Sequence, residues 1–261
     1  MKWALLAAEQ LADIRSALAN ATLVLPLSWS HQGSSTHLQI DAISEHLRAH
    51  HIEAIYISNV AGERLQQQLQ NMLQALAPQS RMHRFVSQAS CAGVQNGYAN
   101  PAQLGSDRFA SAIAAHALYP QRPVLVATCG TATTIDAISA DGVFIGGMIL
   151  PGLQLMAQSL AQNTAQLPQI DDPRAIQHMF ADHTQQAIIN GCIQAQIGAI
   201  ERAYAEFAKA KNTTPACIIS GGAASYLLPH LSLPNTGVQV VTHMEALVLS
   251  GLAIVAAIEL K

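Results

Sequence analysis

Thr128-Cys129-Gly130-Thr131-Ala132-Thr133-Thr134-Ile135-Asp136 is the stretch that decides the fold of this 261-residue chain. A tight glycine turn here separates two apolar runs, residues 123–127 and 133–138, which predicts two paired strands. A plain hairpin would explain the turn, although it would not need so many threonines. The alternative is a phosphate cradle, in which Gly130 allows close backbone approach and Thr131 offers its hydroxyl.

A second polar segment, Gly105-Ser106-Asp107-Arg108, lies upstream at the start of a predicted helix, residues 107–118. Asp107 is either a first-turn acid stabilised by the helix dipole or a general base that accepts a proton from a substrate hydroxyl. Arg108 is either half of a surface ion pair or a clamp that binds a carboxylate or phosphate through two N–H donors. Together with a phosphate cradle, this segment predicts a phosphoryl-transfer site.

Apolar runs alternate with helical repeats along the chain, and this order predicts an α/β protein. The predicted strands are 3–8, 22–27, 54–58, 84–87, 123–127, 133–138, 143–150, 216–220 and 238–242. The predicted helices are 10–21, 38–51, 64–77, 107–118, 152–162, 184–210 and one from residue 245 onward. The order suggests two similar halves, residues 1–104 and 105–261.

Composition limits the classes of function. Half of the residues are hydrophobic, 11% are charged and the net charge is −3, so the chain can bury a sizeable core and has no basic block for nucleic acid. The longest apolar segment, residues 247–258, is too short to span a bilayer and is predicted to be a buried helix. His46 and His50 are interpreted as a polar helix face rather than a metal site. The cysteines have no paired spacing and are interpreted as buried thiols of a cytoplasmic protein: Cys91, Cys129, Cys192 and Cys217.

Three smaller signals lie near the predicted site. Gly146-Gly147 and Pro151-Gly152 predict close backbone contacts and the start of a helix. Gly221-Gly222 follows a predicted strand, an arrangement that lets a flat ring lie against the backbone. Tyr98, in a polar loop, is either a lid residue or simply exposed.

Several of these residues belong to segments that share one pattern. They are Gly93-Val94-x-Asn96-x-Tyr98-x-x-Pro101-x-x-Leu104-Gly105-x-Asp107-Arg108, Gly130-Thr131-Ala132-x-Thr134-x-Asp136, Gly146-Gly147-x-Ile149-x-Pro151-Gly152, Leu167-Pro168, Thr184-x-x-Ala187-Ile188-x-x-Gly191, Ser220-Gly221-Gly222 and Leu247-Val248-Leu249-x-Gly251-Leu252. In this order and combination they resemble the type III pantothenate kinases. The resemblance runs from about Lys2 to the C-terminus.

The resemblance implies a fold and an activity. The fold is that of the actin-like superfamily, two ribonuclease-H-like halves with ATP between them. The activity is ATP-dependent phosphorylation of pantothenate, the first step of coenzyme A biosynthesis, with Mg²⁺, a monovalent cation (K⁺ or NH₄⁺) and a homodimer. The alternative is a non-catalytic regulator, since part of the family is named after the Bvg accessory factor.

The resemblance also implies roles for individual residues. Asp107 would be the catalytic base. The pantothenate-binding residues would be Tyr98, Gly105, Ser106, Asp107, Arg108 and Thr184. The ATP-binding residues would be Lys2, Gly130, Thr131, Gly221 and Gly222.

Two features depart from the family pattern. The family opens with a strand and the turn Asp-x-Gly-Asn-Thr/Ser-x-x-Lys, of which only Lys2 has a counterpart here. We therefore expect the first strand of the first half to be missing, through truncation or a start codon placed too late, and the activity of the chain as given to be affected. Thr128 stands where the family usually has an aspartate that binds the monovalent cation, so the use of that cation is in doubt.

Overall fold

The computed structural model describes residues 2–23, 27, 29, 31–34, 41–163, 179–234 and 241–260. The chain forms two compact units, the first of Met1–Leu118 with Leu247–Lys261 and the second of Tyr119–Ala246. The proposed boundary between two ribonuclease-H-like halves, after residue 104, falls within the first unit. Compactness alone does not locate the junction of such halves, so that boundary stays a prediction.

The secondary structure mixes strands and helices throughout the described ranges. The strands are β1 (Lys2–Leu5), β2 (His31–Ser34), β3 (Ala54–Ser58), β4 (Arg81–Phe85), β5 (Ser90–Cys91), β6 (Val94–Asn96), β7 (Val124–Cys129), β8 (Ala132–Ile138), β9 (Val143–Pro151), β10 (Ala216–Ser220) and β11 (Val241–Met244). The α-helices are α1 (Ala8–Ala19), α2 (Asp41–Ala49), α3 (Glu63–Leu76), α4 (Ser106–Leu118), α5 (Leu153–Asn163), α6 (Thr184–Lys211), α7 (Ala224–Leu227) and α8 (Leu247–Glu259). Two short 3-10 helices are Pro101–Gln103 and Leu228–His230.

Most predicted elements are confirmed, with ends that shift by a few residues. The strand predicted for residues 22–27 is the exception: residues 22, 23 and 27 belong to no strand, and residues 24–26 lie outside the described ranges. Residues 38–40 and 238–240, where another helix and strand were expected to begin, also lie outside them, as does the Leu167-Pro168 segment. The pattern does not predict β2, β5, β6 or α7, because elements of two to four residues are too short to show a period.

The second unit contains five strands in the spatial order β9-β8-β7-β10-β11. β7, β8 and β9 are antiparallel neighbours, whereas β10 and β11 run parallel to β7. Three antiparallel strands followed by two parallel ones, with α6 as the long crossover, give the arrangement expected of a ribonuclease-H-like half. The predicted α/β class is therefore confirmed.

One glycine in β9 has a different role from the one predicted. Gly146 has no atom within 4 Å of the position that a Cβ would take, so the expected close backbone contact is wrong there. Its φ is +152°, and the register with β8 shifts between Ala137 and Ile138. Glycine therefore suits this position because the backbone is irregular beside a bulge, and not because neighbouring atoms leave no room for a side chain.

The core of the second unit lies between its sheet and α6. Ile193, Ile200 and Tyr204 of α6 are buried in one cluster with Leu125 of β7 and Ile219 of β10. Each such side chain contributes about 1.5–3 kcal/mol through burial. The Tyr204 hydroxyl donates to the Pro215 carbonyl oxygen at 3.1 Å, so its polar end is also satisfied.

Helix α8 completes the first unit. It is buried over most of its length, as predicted for residues 247–258. Arg15 of α1 holds its C-terminal end, because the guanidinium donates to the carbonyl oxygens of Ala257, at 2.8 Å, and Leu260. A positive charge near the C-terminal end of a helix also interacts favourably with the helix dipole. In the described part of the chain, no helix combines the length and the apolar character needed to cross a bilayer.

Candidate functional site

Asp107 lies in the first turn of α4, where its side chain is half-buried. Its Oδ1 accepts a hydrogen bond from the Arg108 backbone N–H at 2.8 Å. A Cβ on Gly105 would stand 2.7 Å from the same oxygen, so the absence of a side chain at Gly105 makes room for this carboxylate. The position is that of a first-turn acid, and it leaves the side chain partly open to a substrate. Its role as a base stays a prediction.

Arg108 is buried, with 7% of its surface exposed, and this does not fit a surface ion pair. Its Nη1 donates to the Tyr98 hydroxyl at 3.0 Å, and its guanidinium carbon lies 5.8 Å from the centre of the Tyr98 ring. The arginine and the tyrosine therefore hold each other in place. A guanidinium carries five donors in a planar fork, a geometry that suits anionic and carbonyl oxygens.

The loop that carries Tyr98 is held by side-chain bonds to its own backbone. Asn96 is buried, its Oδ1 accepts from the Tyr98 N–H at 3.1 Å, and its Nδ2 donates to the Pro101 carbonyl at 3.0 Å. Asn100 Oδ1 accepts from the Ala102 N–H at 3.1 Å. Tyr98 is thus half-buried and fixed, which differs from a freely exposed residue.

The start of α4 is also tied to the end of β3. The hydroxyls of Ser58 and Ser106 lie 2.8 Å apart and share a hydrogen bond. Ser106 is buried, so this bond satisfies a polar group that has left water. The first unit therefore brings together Tyr98, Gly105, Ser106, Asp107 and Arg108, with Ser58 as a support that no motif indicated.

In the second unit, three chain segments meet around the turn after β7. The Gly152 N–H donates to the Thr131 carbonyl at 2.9 Å, and the Ala223 N–H donates to the Cys129 carbonyl at 3.0 Å. A Cβ on Gly152 would stand 2.1 Å from the Gly130 carbonyl oxygen, and one on Gly221 would stand 2.2 Å from the Cys129 carbonyl oxygen. Only glycine permits these approaches, so the close contact predicted at Pro151-Gly152 is confirmed, as is the helix that begins directly after it.

This packing unites two predicted ATP-binding segments. β7 and β10 are parallel neighbours, so the Gly130-Thr131 turn and the Gly221-Gly222 segment leave the sheet at the same edge. Gly130, Thr131 and Gly222 are exposed, and the space beside the Gly222 Cα is open. The exposed backbone of such a turn can approach a phosphate group closely, whereas a bulky side chain would block that approach.

Thr128 belongs to a row of hydroxyl residues across the sheet. It lies opposite Thr134 on one neighbouring strand and opposite Ser220 on the other. Residues in register on adjacent strands point to the same face, so the three side chains form one polar row. In the described part of the chain, the buried Thr134 Oγ1 has no hydrogen-bond partner. This row therefore presents neutral oxygens and no carboxylate.

Cys129, directly before the turn, is not equipped to act as a nucleophile. Burial raises the pKa of its thiol to about 11, so the reactive thiolate is scarce at neutral pH. Cys192 and Cys217 are also buried, Cys91 is half-buried, and all four thiols are free. The prediction of buried thiols is confirmed for Cys129, Cys192 and Cys217.

Two predicted site residues stand apart in their own units. Lys2 is exposed as the first residue of β1, in the first unit, and Thr184 is exposed at the start of α6, in the second. His46 lies in α2 and His50 directly after its end, and the His50 Nδ1 lies 3.0 Å from the His46 carbonyl oxygen. Within the described ranges no group of three or more histidine, cysteine, aspartate or glutamate side chains could hold a metal ion.

The fold resembles a known structure. A conserved protein from Campylobacter jejuni, described as a Baf family transcriptional activator, aligns with a TM-score of 0.53 and 20% identity, over 84% of this chain and 87% of that one. At this level of identity the likeness concerns the fold alone. Together with the strand order of the second unit, it defines the class by its fold, an α/β protein with a ribonuclease-H-like arrangement of strands.

The sequence relatives define the family. The sequence profile of type III pantothenate kinases matches residues 1–206. The type III pantothenate kinase of Herminiimonas arsenicoxydans is 49% identical over 209 residues, which cover 80% of this chain and 81% of that protein. The one from Janthinobacterium sp. (strain Marseille) is 49% identical over 234 residues and 88% of each chain. The chain therefore belongs to the type III pantothenate kinase family.

Proposed function

We propose that this protein transfers the γ-phosphoryl group of ATP to the primary hydroxyl of pantothenate, the first step of coenzyme A biosynthesis. The observation that carries the proposal is the arrangement of Tyr98, Asp107 and Arg108, the residues expected to bind pantothenate. Tyr98 and Arg108 are joined by a hydrogen bond, and Asp107, directly before Arg108, is half-buried in the first turn of a helix. This places a carboxylate beside a group that can bind an anionic substrate, in a family named for that reaction.

The proposed chemistry needs one proton acceptor and one phosphate grip. The pantothenate hydroxyl oxygen attacks the γ-phosphorus, its proton passes to an oxygen of Asp107, and the bond to the β,γ-bridging oxygen breaks to release ADP. Arg108 and Tyr98 hold the substrate in place. Phosphoryl transfer has a loose transition state, so positioning and charge stabilisation provide most of the rate.

ATP fits the second unit at the turn formed by Gly130 and Thr131. The backbone around this turn is fixed by Gly152 and Gly221, and its surface is exposed. Gly222 provides open space beside it for the nucleoside, and Lys2, in the first unit, is the remaining residue proposed to bind ATP. Mg²⁺ accompanies ATP in such kinases and neutralises phosphate charge. It commonly takes only one or two protein carboxylates besides phosphate oxygens and water, so a dedicated metal cluster is not required.

A monovalent cation, K⁺ or NH₄⁺, is a further part of the proposal. The hydroxyl row of Ser220, Thr128 and Thr134 offers oxygen ligands without a negative charge. Such a site would bind the cation more weakly than a site with an aspartate, because the charge–charge attraction is absent.

We also propose that Thr184 is one of the pantothenate-binding residues. The protein is proposed to be a homodimer and to reside in the cytoplasm. Apolar side chains of β9 support the dimer, since Ile145, Met148 and Ile149 are 44%, 45% and 66% exposed. Met148 and Ile149 point to opposite faces of the sheet, so β9 exposes apolar side chains on both faces, and exposed apolar surface of this kind favours a protein–protein contact. Free thiols support a reducing compartment.

The test is an assay of the purified chain with ATP, Mg²⁺ and pantothenate, in which phosphopantothenate is detected directly by mass spectrometry. The proposal expects product formation that depends on both substrates. A non-catalytic regulator, the alternative function, would bind ATP or pantothenate without product. ATP consumption that is independent of pantothenate would contradict the proposed substrate.

A further inference from the structure

Gln196, in the middle of α6, is a fully buried amide with 0% of its surface exposed. It lies on the apolar side of the helix, next to the buried residues Ile193 and Ile197. Burial of an amide in such surroundings is costly unless its hydrogen bonds are replaced. A polar side chain at this place is therefore expected to have hydrogen-bond partners.

Both of its donors point towards the segment that supports the phosphate turn. The Gln196 Nε2 donates to the Pro151 carbonyl at 2.6 Å and to the Met156 sulfur at 3.2 Å. Pro151 ends β9, and Met156 lies in the first turns of α5. One amide group thus joins α6 to the end of the strand and to the helix that follows it.

The Pro151 carbonyl and the Gly152 N–H belong to the same peptide group, and in a trans peptide they point in opposite directions. On one side this peptide accepts from Gln196, and on the other its N–H donates to the Thr131 carbonyl at 2.9 Å. The contact continues to Gly130, whose carbonyl oxygen lies against Gly152. Gln196 therefore fixes the orientation of a peptide that holds the turn.

From this geometry we propose that Gln196 is a positioning residue for ATP binding, acting through the Pro151–Gly152 peptide on the Gly130-Thr131 turn. The inference rests on the proposed function. It explains why a glutamine occupies a core position even though, within the described residues, its buried Oε1 has no hydrogen-bond partner. Loss of the amide frees the peptide to rotate and leaves the Thr131 carbonyl less firmly held.

The test compares Gln196→Met and Gln196→Leu with a matched control. Both variants keep an apolar volume in place and remove both donors together with the unpaired acceptor, so the cost in stability should be small. The control is Gln66→Leu in α3, which replaces another fully buried glutamine, in the first unit. ATP affinity is measured by calorimetry, and the KM values for ATP and pantothenate are measured in the kinase assay.

We expect the dissociation constant and the KM for ATP to rise about tenfold in both Gln196 variants, which corresponds to the loss of one well-placed hydrogen bond. The KM for pantothenate should stay unchanged. The control should match the wild type. ATP affinity within twofold of the wild type, an equal loss in Gln66→Leu, or failure of both Gln196 variants to fold would overturn the inference. Wild-type protein that binds ATP but does not phosphorylate pantothenate would contradict the proposed function alone, and absence of ATP binding would contradict both.

Discussion

Gly251 of α8 lies against the Ala110 carbonyl oxygen of α4, so closely that a Cβ on Gly251 would stand 2.0 Å from that oxygen. The two helices thus touch through their backbones. Because α4 begins with the segment that contains Asp107, the packing of α8 fixes the helix that carries the proposed base. This contact gives a physical reason for the glycine in the C-terminal signature.

Gly251→Ala should destabilise the protein by about 1–3 kcal/mol, because the added methyl group forces the two helices apart. The free energy of unfolding can be measured by denaturant titration. We also expect lower kinase activity, since α4 would shift.

Gly198→Ala in α6 is the matched control for this substitution. The Gly198 Cα faces open space, with nothing within 4 Å of the Cβ position. Alanine there should stabilise the helix by about 0.5–1 kcal/mol, because it lowers the entropy of the unfolded chain. Equal effects of the two substitutions would show that the α4–α8 contact is not tight.

Asp107→Asn should lower kcat by about 10²–10⁴-fold, the loss expected when a general base is removed. The amide keeps the volume of the carboxylate, so the unfolding midpoint should stay close to that of the wild type. Asp13→Asn, on the exposed face of α1, is the control and should retain full activity. If Asp107→Asn turns over normally, Asp107 does not act as the base.

Tyr98→Phe should raise the KM for pantothenate about tenfold and leave the KM for ATP unchanged, because Arg108 loses the hydroxyl that orients it. Steady-state kinetics with each substrate varied in turn separates the two effects. Tyr119→Phe removes a similar bond, shared by the Tyr119 hydroxyl and Thr242 Oγ1 at 2.6 Å, and should change neither KM. A rise in both KM values for Tyr98→Phe would point to general damage of the fold.

Thr128→Asp should increase activation by potassium. A carboxylate added to the hydroxyl row would attract the cation strongly in a partly dry site. The rate is measured against potassium concentration for the wild type and the variant, with Thr22→Asp in an exposed segment as the control for added charge. An unchanged midpoint and maximum in Thr128→Asp would place the cation elsewhere.

The sequence predicted two short strands best. The observed bounds of β3 and β10 equal the predicted ones, because short branched apolar runs between polar residues are distinctive. Asp107 and the turn at Gly130 were identified as candidates from their local residue types. The hydrogen bond between Arg108 and Tyr98 could not be foreseen, because it depends on how the loop folds back onto the helix. Gln196 gave no signal, since one polar residue among apolar ones forms no motif.

The first unit contains a helix from the far end of the chain, and this has a consequence for biosynthesis. During translation, all residues of the second unit leave the ribosome before α8 does. We therefore predict that the second unit acquires protease resistance on the nascent chain while the first stays cleavable, α4 included, until α8 emerges. Limited proteolysis of two ribosome-bound chains, one of residues 1–246 and one of residues 1–261, each stalled on a C-terminal linker that brings its last residue out of the ribosome, would reveal the order. Simultaneous protection of both units in the shorter chain would disprove it.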